Sequence, residues 1–140
     1  MPIEISQEGT KDLSKGERKE FAERYGLTWI GRIVDIQGLV RARKGHNHFH
    51  VRYADGTQAY NARFAAVGNF QKDGLAPVRG KDKKYFHIHL DGTPAYNARF
   101  DMLFDDGSFG PDGTTWAEIS GKMYDINRQG EAKPAKFFNS

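Results

Sequence analysis

The sequence predicts a mostly β protein. It reads as about three repeats of short antiparallel strands with an N-terminal capping helix over about residues 15–24. Three observations predict this. A ten-residue segment recurs almost unchanged, apolar and polar residues alternate with the period of a strand ahead of each copy, and a helix-start signature precedes the first strand.

The repeat sets the organisation. Residues 55–64 read DGTQAYNARF and residues 91–100 read DGTPAYNARF, agreeing at nine of ten positions with an offset of 36. Phe49-His50-Val51 pairs with Phe86-His87-Ile88, and the segment from Gly38 to Arg43 looks like an earlier version of the one from Gly74 to Arg79. Further on, Met123-Tyr124-Asp125-Ile126 matches Tyr85-Phe86-His87-Ile88, and Gly130 matches Gly92. At the start, Phe21-Ala22-Glu23-Arg24-Tyr25 lies on Tyr60-Asn61-Ala62-Arg63-Phe64 and on Tyr96-Asn97-Ala98-Arg99-Phe100. The units are about 21–59, 60–95 and 96–131 within a single domain 1–140, and 132–140 is a C-terminal tail. One unit cannot bury its own apolar face, whereas stacked units can.

Each element follows from local chemistry. Ser14 with Glu17 three residues on is a capping box, so a helix starts near Lys15 and runs to about Arg24. Phe21, Ala22 and Tyr25 face the sheet, Gly26 stops the helix, and the helix covers an open end of the β array. Residues 39–42 and 75–78 are strands that pair with the strands after them. In those, Phe49, Val51 and Tyr53 face one way and His48, His50 and Arg52 the other; Phe86, Ile88 and Leu90 oppose His87 and His89. Asp55-Gly56 and Asp91-Gly92 are hairpin turns. The YNARF aromatics, four residues apart, fit one helical turn, with Arg63 and Arg99 capping it or pairing with a nearby carboxylate. The strands form either an elongated meander or a partly closed barrel-like sheet. In the tail, Phe137-Phe138 either frays, packs on the last unit or buries in a second subunit.

Composition bounds the function. The 140 residues are 38% hydrophobic and 28% charged, with 16 Gly, 5 Pro and a formal net charge of +3. There is no cysteine, which excludes disulfides, thiolate metal sites and cysteine nucleophiles. No apolar run approaches the length of a membrane span, and the acidic first residues are no signal peptide, so the cytoplasm is the expected location. Charge is uneven: residues 25–54 carry five basic groups and one acidic, whereas residues 101–140 carry four basic and seven acidic.

Four candidate sites emerge. His48, His50, His87 and His89 lie on equivalent strands and, if brought together, would hold a divalent transition metal such as zinc; the alternative is a row of hydrogen-bonded surface rings and no cofactor. Arg41, Arg43 and Lys44, with Lys81, Lys83 and Lys84, are basic clusters suited to phosphate or nucleic-acid contact, or are solvated loops. Trp29, Tyr53 and Tyr60, with Arg52 nearby, sit in a pattern like that of a Tudor- or SH3-like barrel and would line a cage for a cationic peptide. Asp101, Asp105, Asp106 and Asp112 form an acidic loop without the closing glutamate of a calcium loop. Catalysis has little support beyond water activated by a bound metal. A protein partner or a second copy is favoured over nucleic acid, and no membrane partner is expected.

The pattern made by Phe64, Phe70, Gly74-Leu75-Ala76-Pro77-Val78, Phe86-His87-Ile88, Gly92, Pro94, Tyr96 and Arg99-Phe100 resembles the bacterial WG-repeat (KWG-repeat) proteins. The resemblance covers about residues 33–131. The chain departs from it at the Trp-Gly pair, where His48-Phe49, Tyr85-Phe86 and Met123-Tyr124 stand. It implies a scaffolding or ligand-binding array and brings no catalytic residues with it.

Overall fold

In the computed structural model, which describes residues 9–104 and 106–135, Ser14 opens a helix as its pattern predicts. Asp105 of the acidic loop and the Phe137-Phe138 pair lie outside the described residues. After a short strand β1 (Lys11–Asp12), helix α1 spans Lys15–Tyr25. Its capping box is complete: the Glu17 N–H donates to Ser14 Oγ at 3.1 Å, and the Ser14 N–H donates to Glu17 Oε1 at 2.9 Å. Gly26 ends it in the left-handed region. Phe21 is the buried anchor of the helix and stacks on Tyr53 at 5.0 Å.

The rest is strand and turn, in three antiparallel sheets. The first contains β1, β2 (Trp29–Val34), β3 (Leu39–Lys44) and β4 (Asn47–Arg52) in that order. The second contains β5 (Ala66–Val67), β6 (Ala76–Arg79) and β7 (Tyr85–Ile88). The third contains β8 (Met102–Leu103), β9 (Thr114–Ile119), β10 (Lys122–Asn127) and β11 (Ala132–Pro134). Sequence neighbours pair throughout, so each sheet is a meander, and the sheets stay separate rather than closing into one barrel. The start of the tail is β11, which pairs with β10.

Register confirms that the sheets are copies. Ala42 faces Phe49, Val78 faces Phe86 and Ala117 faces Tyr124 across equivalent strand pairs. By the same register Arg43 corresponds to Arg79 and Glu118, and His50 to His87 and Asp125. The buried apolar side chains run from Leu13 to Ile126 as one continuous core, with every sheet contributing. Among the described residues no helix is long and apolar enough to cross a membrane.

YNARF is a bend and not the expected helical turn. The Arg63 guanidinium draws in the Asn61 and Ala62 carbonyls at 3.0 Å, and Arg99 holds those of Tyr96, Asn97 and Ala98. Each guanidinium then lies over the preceding strand's aromatic, Arg63 over Phe49 at 4.1 Å and Arg99 over Phe86 at 3.8 Å. Neither arginine pairs with a carboxylate. Phe64 and Phe100 return to bridge His48 and Tyr85.

Between units, an aromatic ring lies flat on a turn glycine. A Cβ on Gly92 would sit 2.7 Å from Tyr60 Cγ, one on Gly130 2.6 Å from Tyr96, and one on Gly56 2.4 Å from Tyr25. Tyr25, and not Phe21, therefore takes the place of Tyr60 and Tyr96 in the first unit. The helix reaches that place with a different residue count because it advances only about 1.5 Å per residue, against about 3.3 Å for extended chain.

Replacing Gly92 by Ala is expected to cost more than replacing Gly45, which also has positive φ but open space around it. Left-handed backbone alone costs about 1–2 kcal/mol at Gly45, and displacement of Tyr60 adds about 1–3 kcal/mol at Gly92. Urea unfolding of the two variants measures the difference.

Candidate functional site

β4 is covered on both faces, so its histidine side is not a solvated one. Phe49 and Val51 enter the core, and His50 on the opposite face is equally inaccessible. The second unit folds over it. His50 Nε2 lies 2.7 Å from the Gly68 carbonyl oxygen and Nδ1 lies 2.5 Å from Tyr60 Oη. Phe70 closes over the ring at 4.5 Å. A carbonyl only accepts, so Nε2 carries the proton, and the neutral ring accepts the Tyr60 hydroxyl at Nδ1. The next joint repeats the arrangement. His87 Nε2 donates to the Gly107 carbonyl at 2.7 Å, Nδ1 accepts from Tyr96 at 2.6 Å, and Phe109 covers the ring at 4.6 Å. Burial drives the His50 imidazole down to about 4 and lowers His87 as well.

These placements correct the metal reading. Both ring nitrogens of His50 and His87 are engaged in joining sheets. His48 is half-buried, and His46 and His89 are exposed. Among the described residues no group of three or more His, Asp or Glu is placed to hold a metal ion.

The aromatic cage does not assemble either. Tyr60 is bound to His50, Tyr53 lies under Phe21, and Trp29 lies beneath Arg41, whose guanidinium carbon is 5.3 Å from the ring centroid. Arg52 is committed to its own turn, donating to Thr57 Oγ1 and the Gln58 carbonyl.

The basic residues divide. Lys84 pairs with Asp101, Lys44 is exposed at the end of β3, and Lys83 is exposed in the turn before β7. Arg41, Arg43 and Lys81 come together, joined by Arg79. All four act electrostatically on His48: burial lowers its basicity most, followed by the charges of Arg43, Lys81, Arg41 and Arg79. Lys81 bridges the first two units by donating to the His46 carbonyl at 3.2 Å and Asn47 Oδ1 at 2.9 Å. Arg41 lies across Gly31, where a Cβ would be 2.9 Å from its Nε, so only glycine leaves that path open.

Arg41 and Arg79 line a groove of about 340 Å³ between the first and second sheets, with Asn69, Pro77 and Tyr85 and with Asp106 at one end. The Nε atoms of Arg41, Arg43 and Arg79 are buried without a hydrogen-bond partner. Among the described residues no carboxylate is within ion-pair distance of these three guanidinium groups. A larger cavity of about 530 Å³ lies against the third sheet, but Asp112, Asp125 and Lys133 give it mixed charge. Arg79 was legible from its equivalence to Arg43; Asn69 lies in a loop with no such signal. Neither a protein-family model nor a curated protein matches the chain.

The buried histidines set an acid dependence. The folded-state value of His50 lies below the ordinary 6.5, so the unfolded chain binds the proton first. Its stabilisation is complete above pH 6.5 and is lost as the pH falls from there to about 4, amounting to about 3 kcal/mol for a shift of this size. Asp35, whose carboxyl burial pushes up against three backbone N–H donors, acts in the opposite sense. Urea unfolding of wild type and His50→Gln at matched pH isolates the histidine: the wild-type slope over this window is expected to be steeper. Tyr60→Phe, which strips the Nδ1 donor, is expected to cost about 1–3 kcal/mol at pH 7.

Proposed function

We propose that this chain is a non-catalytic ligand-binding repeat module, of the kind its WG-repeat resemblance implies, and that the groove between the first two sheets binds an anion. The observation carrying this is the pair of guanidinium groups lining the groove, Arg41 and Arg79, with Arg43 close by. Each has a buried Nε without a hydrogen-bond partner, and among the described residues none is within ion-pair distance of a carboxylate. Burying a polar N–H without a partner is costly. Outside the groove Arg18 on the helix shares the unpartnered Nε, whereas Arg63 and Arg99 are held by carbonyls and Arg128 by Asp73 at 2.9 Å. The groove arginines have the opposite character. Gly31 and Trp29 hold Arg41 in place while leaving its charge unspent. An anionic ligand supplies the missing acceptors, and guanidinium matches phosphate or carboxylate oxygens through paired N–H donors.

Calorimetric titration with inorganic phosphate at low salt is the direct test. Binding is expected to weaken as salt rises. It is expected to drop at least tenfold in the Arg41→Gln, Arg79→Gln double variant, since each hydrogen bond to a charged group contributes about 1.5–3 kcal/mol. Absence of binding to wild type, or equal binding by the variant, would overturn the proposal.

A further inference from the structure

The groove contains more than cations. Asn69 also lines it, and its Oδ1 is buried without a partner, so the walls of one cavity hold unpartnered donors of Arg41 and Arg79 and an unpartnered acceptor. Such groups cluster where a ligand completes them. Their placement has a direction. Arg41, Arg79 and Tyr85 line this groove only, whereas Asn69, Gln71 and Asp106 also line an adjoining cavity of about 450 Å³. The acceptors therefore stand on the border between the two spaces, and the arginines stand away from it. Asp106 spends one carboxylate oxygen on the Ser108 N–H. Beyond the border, the adjoining cavity is of mixed charge: Asp12 pairs with Arg32 at 3.5 Å, Asp35 accepts backbone N–H groups, and Lys72 also lines it.

We infer that the groove takes a phosphate monoester whose organic body carries N–H or O–H donors, such as a nucleoside monophosphate. This rests on the anion-binding reading above. The phosphate sits against Arg41 and Arg79, and the body extends along Tyr85 toward Asn69 and Asp106, which accept its donors. A continuous nucleic-acid backbone does not fit this arrangement. Its next phosphate would meet the Asp106 carboxylate at the border, where like charges repel. The volume, about 340 Å³, is that of a small-molecule site. Tyr85, opposite Arg79 in register, offers a ring face to a flat heterocycle.

Titration of the full chain with adenosine monophosphate, inorganic phosphate and a ten-nucleotide oligothymidylate separates the outcomes. The monophosphate is expected to bind at least tenfold more tightly than inorganic phosphate, and the oligonucleotide no more tightly than inorganic phosphate. Asn69→Ala is expected to bring the monophosphate down to the inorganic-phosphate level while leaving inorganic phosphate unchanged, and Asp106→Ala serves as a second variant should Asn69→Ala unfold. Equal affinity for monophosphate and inorganic phosphate would overturn this inference and leave the anion site standing. An oligonucleotide that binds best would likewise overturn it, marking the groove as a nucleic-acid track. Failure of all three probes to bind would remove both readings.

Discussion

A neutral imidazole held at both nitrogens by the neighbouring unit is the interaction on which the rest of this structure depends. Each meander is small, and its sheet has two faces to cover. The β4 and β7 histidines fasten one unit to the next by giving a proton to a backbone carbonyl and taking one from a tyrosine. Full burial makes the bonds obligatory, because a ring left unpaired there would lose its hydration without compensation. The flat contact between a tyrosine and a turn glycine completes the joint. The same tyrosines, Tyr60 and Tyr96, serve both purposes, with the hydroxyl on a histidine and the ring face on Gly92 or Gly130.

The groove is a by-product of that joint. Drawing Gly68 toward His50 brings β5 and β6 against the arginine-bearing face of β3, since Arg41 is paired with His50 and Arg43 with His48 in register. Arg79 arrives with β6. The second joint has the same skeleton, but Pro77 stands in place of Arg41 and Glu118 in place of Arg79, so only Arg79, in place of Arg43, remains of the basic set. The scaffold is thus repeated and the chemistry is local to one copy.

Much of the architecture was legible in the sequence, and the reasons are physical. The capping box, the period-two strands and the Asp-Gly turns are local signals that formed close to where they were expected, although β7 ends at Ile88 and leaves Leu90 exposed in the turn. The recurrence also transferred information, since Arg79 follows from Arg43. What was not legible depends on which unit covers which face. Alternation assigned His48, His50, His87 and His89 to one side but could not say that a following unit would seal His50 and His87. Trp29, Tyr53 and Tyr60 looked like a set because aromatic spacing is blind to the helix that claims Tyr53. Asn69 belongs to a loop, and no periodicity marks it.

The third unit carries Asp125 where the other two carry histidine. Asp125 has no ring with a nitrogen to donate and a second to accept, so this sheet cannot repeat the two-sided clasp of its predecessors. The clasp consequently has a polarity, running from a strand histidine to the unit that follows it. For anyone lengthening such arrays by duplicating the middle unit, a copy placed after the third sheet meets an aspartate where the clasp needs an imidazole.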